Sequence, residues 1–537
     1  MLQYETYSFP SRRSSVIARQ GMVATSQPLA AQAGLAVLQQ GGNAVDAAIA
    51  TVATLCVVEP CSTGIGGDAF ALIWWADEQK LYGLNASGPA PLSLSGDAIR
   101  RQGHDKMPEL GGLAVTVPGS LRGWQLALER FGSWGLDRLL RQPIAYAREG
   151  YPVSQRIARA WQRSIEKMSA HPDSARVWLA GGRAPWPGEI FRNPEFAHTL
   201  MALADQGYDA FYQGDIARQI AACVQADGGF LTEADLADYQ AEWVEPLALN
   251  YRDGYTFYEI PPNGQGLTAL LALNLVKTAD LAASGYGSPE TTHLLIEAIK
   301  LAFADAQAYI GDPRLTAVPV DGLLSERYAA QRRALIGDTA LQPQAGNPPR
   351  HGDTVYLTVA DGRGNMVSWI QSLYMGFGSG LTAGTTGVQL QNRGANFSLE
   401  PGHPNEAAPG KRPYSTIIPG FITRHGRAWC SFGVMGGFMQ PQGHLQVGLN
   451  LIDFGMDPQS ALDAPRFNWL DGRRVALELT ANPDTRAALI ARDHELVSAE
   501  LTQQLHFGGG QVIVRDPESG VLIGGSEPRN DGAAVGF

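Results

Sequence analysis

Cysteine is scarce in this sequence. The 537 residues hold four, Cys56, Cys61, Cys223 and Cys430, with no Cys-x-x-Cys spacing. That excludes a disulfide-stapled scaffold and a zinc ribbon, and the four are expected to be free thiols in a reducing compartment. Long apolar runs are missing as well. The best candidate, residues 47–58, carries Thr51, Thr54 and Cys56, and falls short of the ~18 apolar residues a bilayer span needs. Arg12-Arg13 is followed by no apolar export core over residues 14–26, so a twin-arginine signal is not expected either. The chain therefore reads as cytoplasmic, with no membrane partner. Positive charge is also in deficit. The net charge is −11 without a Lys/Arg block, which argues against nucleic acid as a partner.

Several catalytic signatures are absent. The ten histidines form no His-x-x-x-His pair, so no helical zinc motif is expected and the metal expectation is none. Gly-x-Ser-x-Gly is missing, and with it the nucleophile elbow of many serine hydrolases. Ser62-Thr63-Gly64-Ile65-Gly66-Gly67-Asp68 is glycine-rich but lacks Gly-Lys-Ser/Thr and precedes a strand instead of following one. Close backbone packing accounts for it better than a phosphate loop. No Gly-x-Gly-x-x-Gly follows a strand, which removes the usual support for a dinucleotide-binding domain. No organic cofactor is implied.

What remains is a chain with 45% hydrophobic composition, enough to bury a large core. Residues 21–25 read as a strand. Ser26 is the expected cap of a helix with Pro28 in its first turn and Ala31, Leu35 and Leu38 on its apolar face. Gly41-Gly42 ends that helix, and Asn43 starts a second over residues 44–56. Strands are expected at 69–75, 80–84, 247–260, 388–391, 430–434, 475–479, 511–515 and 521–525. The main helices are expected at 119–132, 136–149, 153–167, 194–205, 214–226, 232–238, 291–309 and 441–454. Helices and strands mix without βαβ alternation, so the class is α+β, layered sheets covered by helices.

The chain is organised around one stretch. Residues 354–359 are mostly β-branched or aromatic, residues 361–365 have the Asp/Gly/Asn chemistry of a tight turn, and residues 366–372 read as the returning strand. Before this hairpin, residues 339–353 hold three prolines and two glycines and little to bury. Two readings are open at this point. One is a central strand preceded by a surface linker. The other is self-cleavage between Asp353 and Thr354, freeing a threonine whose α-amine, titrating near ~8, acts as base for its own hydroxyl. The second needs an oxyanion hole. Gly433-Val434-Met435-Gly436-Gly437-Phe438 offers one, its paired glycines letting a backbone approach substrate, though a plain tight turn has the same spacing.

Several segments, in order, resemble the γ-glutamyltransferase (γ-glutamyltranspeptidase) family of N-terminal-nucleophile hydrolases. They are Gln39-Gln40-Gly41-Gly42-Asn43-Ala44-Val45-Asp46, Gly64-Ile65-Gly66-Gly67-Asp68, Glu297-Ala298 with Gly311-Asp312-Pro313, Asp353-Thr354, Phe377-Gly378-Ser379-Gly380, Lys411-Arg412-Pro413-Tyr414-Ser415-Thr416 and Gly436-Gly437. The resemblance implies a four-layer αββα sandwich. It implies a large subunit, 1–353, and a small subunit, 354–537, that share one core as an α/β heterodimer and can pair further as a dimer of heterodimers. By the same resemblance Thr354 is the nucleophile, Ser372 a second hydroxyl bonded to it, Gly436 and Gly437 the oxyanion glycines, and Ser415 and Thr416 substrate contacts. Departures concern the substrate. Asn85 stands where the family carries a carboxylate-binding arginine, Asn396 where it carries an amine-binding aspartate, and Tyr374 where it carries an asparagine. Arg393 offers a relocated positive charge. With these departures the chain resembles the family's cytoplasmic amidohydrolase branch, which implies an amidohydrolase of small carboxylated amides, of the oxamate type found in purine catabolism. Alternatives are γ-glutamyl hydrolysis or transfer, a cephalosporin-acylase-like activity, and an unprocessed binding protein.

Overall fold

The structure, a computed structural model, describes residues 13–343, 353–504 and 506–537. Most of the expected linker, 344–352, lies outside the described residues. Two seven-stranded sheets form the centre, and every neighbouring pair in them is antiparallel. The first runs, edge to edge, Ala533–Gly536, Gly21–Thr25, Asp353–Asp361, Met366–Tyr374, Asp68–Trp75, Lys80–Ala86 and Glu242–Val244. The second runs Val16–Ala18, Leu522–Ser526, Gly509–Arg515, Arg427–Met435, Gly420–Arg424, Tyr255–Glu259 and Leu247–Tyr251.

Alternation along these strands decides where the cores sit. Tyr356, Ala360, Met366 and Ile370 from the first sheet meet Phe421, Met435 and Ile513 from the second in one cluster. The opposite faces, through Val355, Leu357, Val359, Val367 and Trp369, join the helices Pro28–Gln39 and Ala44–Val58. Phe432, Val434, Val512 and Val514 on the second sheet join the helices Gly266–Val276, Pro289–Tyr309 and Met439–Ile452. The helix Ala44–Val58 is buried along its whole length. Its run of alanines allows that close approach, and Asn43 with Asp46 closes a capping box at its start.

Several expectations need correction. The helix at Pro28 is capped by Gln27, whose side chain accepts from Leu29 N at 2.6 Å. Ser26 instead donates to Glu59 Oε2 at 2.6 Å, a long-range partner that local pattern cannot reveal. Residues 247–260 are two strands turning at Arg252-Asp253-Gly254. Residues 388–391 make only isolated bridges, Gly66 to Leu390 and Thr382 to Gln389. The start of the expected linker is tied down, with Ala340 N donating to Arg492 O at 2.7 Å and Leu341 N to Glu297 Oε2 at 2.9 Å. The glycine loop packs as expected. A Cβ on Gly66 would lie 2.2 Å from Gln389 O, and one on Gly67 2.2 Å from Ser372 O.

Candidate active site

Thr354 lies near the start of the central strand Asp353–Asp361, where the pairing with Met366–Tyr374 slips. Asp353 faces Tyr374 and Val355 faces Gln371, so Ser372 and Leu373 lie opposite Thr354 alone. Such a bulge re-aims side chains at a sheet margin. Here it brings Thr354 Oγ1 to 3.2 Å from Ser372 Oγ. Ser372 Oγ in turn accepts the Tyr374 N–H at 2.7 Å, and Tyr374 holds a positive φ of 79°, a conformation bulky residues adopt only when their surroundings impose it.

Behind Tyr374 the side chains form a buried polar network. The Tyr374 hydroxyl donates to Asn396 Oδ1 at 2.6 Å, and Asn396 Nδ2 donates to Tyr414 O at 3.0 Å. The Arg393 guanidinium stacks over the Tyr374 ring, 4.6 Å from its centroid. It grips Asp68 through Nε and Nη2 at 2.9 and 3.0 Å and donates to Thr416 Oγ1 at 2.7 Å. Arg393 and Asp68 are both fully buried. Burial pushes the Asp68 carboxyl up, and the Arg393 charge pulls it back. Ser415 Oγ is buried with no partner among the described residues. Asn85 is further round the network, its Oδ1 accepting Ser87 N–H and O–H at 3.0 and 2.7 Å and its Nδ2 donating to Asn263 Oδ1 at 3.1 Å.

Gly436 and Gly437 turn the chain from the strand Arg427–Met435 into the helix Met439–Ile452, with φ of 129° and 60°. Both values favour glycine. Gln265 Nε2 donates to the carbonyls of Gly437, at 2.9 Å, and of Thr416, pinning the turn. The turn sits at the positive end of a 14-residue helix, where negative charge is favoured.

Thr354 and Gly436 line the same cleft, a cavity of about 500 Å³ bordered by Ser26, Glu59, Arg156, Arg159, Arg163 and His506 among others. Thr354, Ser372, Tyr374, Arg393, Asn396 and Thr416 thus form one contiguous network, and Gly436 faces the cleft with Thr354. Asn85 joins through Asn263, whose carbonyl accepts the Ser415 N–H at 2.8 Å. Sequence reasoning missed the Asp68 partner of Arg393, although Asp68 closes the quoted glycine motif, and missed the arginines of the cleft wall. Only the three-dimensional pairing distinguishes them from ordinary surface charge.

The histidines, apart in sequence, do meet in space. His293, Glu297 and His494 bring three possible metal ligands within 4.8 Å of one another. Lys300, however, lies 2.7 Å from Glu297 Oε1 with both side chains fully buried, so the carboxylate already has a cation. His293 Nε2 donates to Gly337 O at 2.9 Å, leaving its Nδ1 to accept from His494 Nε2 at 2.8 Å.

Comparison with known proteins identifies the family. The sequence model of the gamma-glutamyltranspeptidase family matches residues 30–537. The chain belongs to that family, and is a hydrolase of the N-terminal-nucleophile class. It is 38% identical to the glutathione hydrolase-like YwrD proenzyme of Bacillus subtilis, over 97% of this chain and 99% of that one. It is 36% identical to the oxamate amidohydrolase proenzyme of Klebsiella pneumoniae, over 98% and 100%. The crystal structure of cephalosporin acylase from Bacillus halodurans superposes with a TM-score of 0.94 at 49% identity, covering 100% of this chain and 99% of that one.

Proposed function

We propose that this chain is a self-processing amidohydrolase with Thr354 as nucleophile. The observation that carries the reading is the Thr354 hydroxyl, set by a strand bulge 3.2 Å from Ser372 Oγ and lining an open cleft with Gly436. In processing, Thr354 Oγ1 attacks the Asp353 carbonyl, the peptide bond to Thr354 N breaks as the acyl group moves to oxygen, and water cleaves the ester. The freed amine, with a pKa near ~8, then takes the hydroxyl proton during turnover. Ser372 orients the hydroxyl, and the Gly436 and Gly437 N–H groups meet the oxyanion at the helix start. Residues 1–353 and 354–537 stay together as one αββα unit of two chains. No metal or cofactor takes part in these steps.

The proposed substrate is an amide of a carboxylated acid. Asn85 and Asn396 put neutral amides where a γ-glutamyl substrate would need a cation and an anion. Each missing charged hydrogen bond forfeits about 1.5–3 kcal/mol, so losing two weakens such a ligand by roughly two to four powers of ten. Ser415 Oγ, unpartnered, and Thr416 are the donors left for the acyl carboxylate, with Arg393 behind them. A cleft of about 500 Å³ is far larger than oxamate, which favours an acylase with a sizeable leaving amine. The 36% identity to an oxamate amidohydrolase supports oxamate itself as the second reading.

The test is a panel of amides assayed for amine or ammonia release, beside Thr354→Ala. Wild type is expected as two fragments split at Asp353-Thr354 and the variant as one intact chain. Carboxylated amides should exceed glutathione and γ-glutamyl-4-nitroanilide in kcat/KM, and chelator treatment should leave the rate unchanged. Cleavage of the Thr354→Ala chain at the same bond would sink the nucleophile assignment. Glutathione as the best substrate would sink the substrate class alone.

A further inference from the structure

Arg393, the positive charge nearest the nucleophile network, is neutralised by Asp68 and shut from solvent. The cations that face the open cleft lie elsewhere. The helix Gln155–Gln162 and its C-cap Arg163 present Arg156, Arg159, Ala160 and Arg163 to it, at the spacing of one helical face. Ala158 and Trp161 anchor the helix in the core, and Ile157, also buried, borders the cleft between the arginines. Arg529 also lines the cleft but is held by Glu478 and Glu527. Arg156 lies beside Asp531. Arg159 and Arg163 are exposed, and among the described residues neither guanidinium makes an ion pair or hydrogen bond. Both guanidinium groups are therefore free to meet a ligand in a cleft whose wall also carries Glu59, Glu478 and Asp531.

The two sides of Thr354 differ in access. The Tyr374–Arg393 side is buried, and suits the acyl part, which stays bound through the covalent intermediate. The cleft side is open, and suits the amine, which must leave before water enters. Resting on the amidohydrolase reading above, we propose that Arg159 and Arg163 select amides whose leaving amine carries a carboxylate. Guanidinium groups suit that task because their forked donors match a carboxylate and stay charged at any working pH.

The experiment compares two anilides with one acyl group, N-(4-nitrophenyl)oxamate and its 3-carboxy counterpart, on the processed enzyme and on Arg159→Ala/Arg163→Ala. Wild type should favour the carboxylated anilide by roughly tenfold in kcat/KM, mostly through KM, and 0.5 M salt should erode that preference. In the double variant the ratio should fall toward one, and Arg159→Lys/Arg163→Lys should restore part of it. Unchanged self-cleavage of both variants serves as the folding control. Calorimetric titration with 5-amino-2-nitrobenzoate, the carboxylated product, measures the same selectivity without turnover. Its wild-type affinity should exceed that of the double alanine variant by roughly tenfold. Equal affinities, or a substrate preference that survives in the variant, overturn the arginine proposal. Selective product binding without hydrolysis of either anilide or of any other carboxylated amide in the panel overturns the amidohydrolase reading and leaves the arginines' role standing.

Discussion

Ser372 shows how little separates a structural hydroxyl from a functional one. Its Oγ accepts the Tyr374 N–H and meets Thr354 Oγ1 at 3.2 Å, so one atom fixes both the bulge and the threonine rotamer. Ser372→Ala removes the contact while leaving the strand hydrophobic and buried. A neutral hydrogen bond of about 1.4 kcal/mol corresponds to roughly tenfold in rate. Ser372→Ala should therefore lower kcat by that order with KM nearly unchanged, and Ser372→Thr should recover part of it. Steady-state kinetics on processed protein checks this, and a large KM effect would instead mark Ser372 as a substrate contact. The sequence carried Thr354, Ser372, Tyr374 and Arg393 through their places in recognisable segments. It could not show Arg393 bound to Asp68, because that pair joins positions 325 residues apart. A buried salt bridge and an exposed arginine have the same local pattern.

Elements were legible where their signals are local. The turn chemistry of residues 361–365 and the β-branched run before it produce the hairpin Asp353–Asp361 with Met366–Tyr374. Asn43 and Asp46 mark a helix start by themselves. Residues 247–260 read as one strand only if Asp253-Gly254 is passed over; that pair marks the hairpin turn, where Arg252 takes a positive φ of 45° and Gly254 one of 82°. The glycine loop is legible in the sequence as close backbone packing, and its packing partner appears only in three dimensions. Gly67 lies against the carbonyl of Ser372, and a Cβ there would sit 2.2 Å from that oxygen. Gly67→Ala should cost about 1–3 kcal/mol through overpacking and slow self-cleavage by moving Ser372, measurable as a lowered melting temperature with persisting full-length chain. The helix Pro289–Tyr309 carries a second device. His494, packed against its His293 and near Lys300 and Arg492, is pushed down to about 3 by burial first and by those positive neighbours next. The unfolded chain binds that proton below ~6.5 and the folded chain does not, so stability is lost as pH falls through 6.5 toward 3. Between pH 7.5 and 5.5 thermal unfolding should shift down, by on the order of 1 kcal/mol, and His494→Gln should shift less.

At the scale of the whole molecule, the order of strands decides what cleavage can and cannot do. The strand Asp353–Asp361 is paired on one side with Gly21–Thr25 and the strand Met366–Tyr374 on its other side with Asp68–Trp75. Both neighbours belong to the segment before Asp353, while Ala533–Gly536, from the end of the chain, closes the edge beyond Gly21–Thr25. The second sheet interleaves the same way, with Val16–Ala18 on Leu522–Ser526 and Tyr255–Glu259 on Gly420–Arg424. Separating residues 1–353 from 354–537 would thus break ladders in both sheets and expose the clusters of side chains between and outside them. Strand ladders in two sheets and shared apolar clusters hold the two segments together as one core. Cutting one bond at Asp353-Thr354 relieves none of those contacts. The two fragments of the processed protein should therefore co-elute on gel filtration at any dilution and in 1 M salt, and unfold in one transition. The separately expressed segment 354–537, lacking the partners of its central strands, should be insoluble or unfolded. Independent elution of the fragments under native conditions, or a folded 354–537 segment alone, would contradict the shared core.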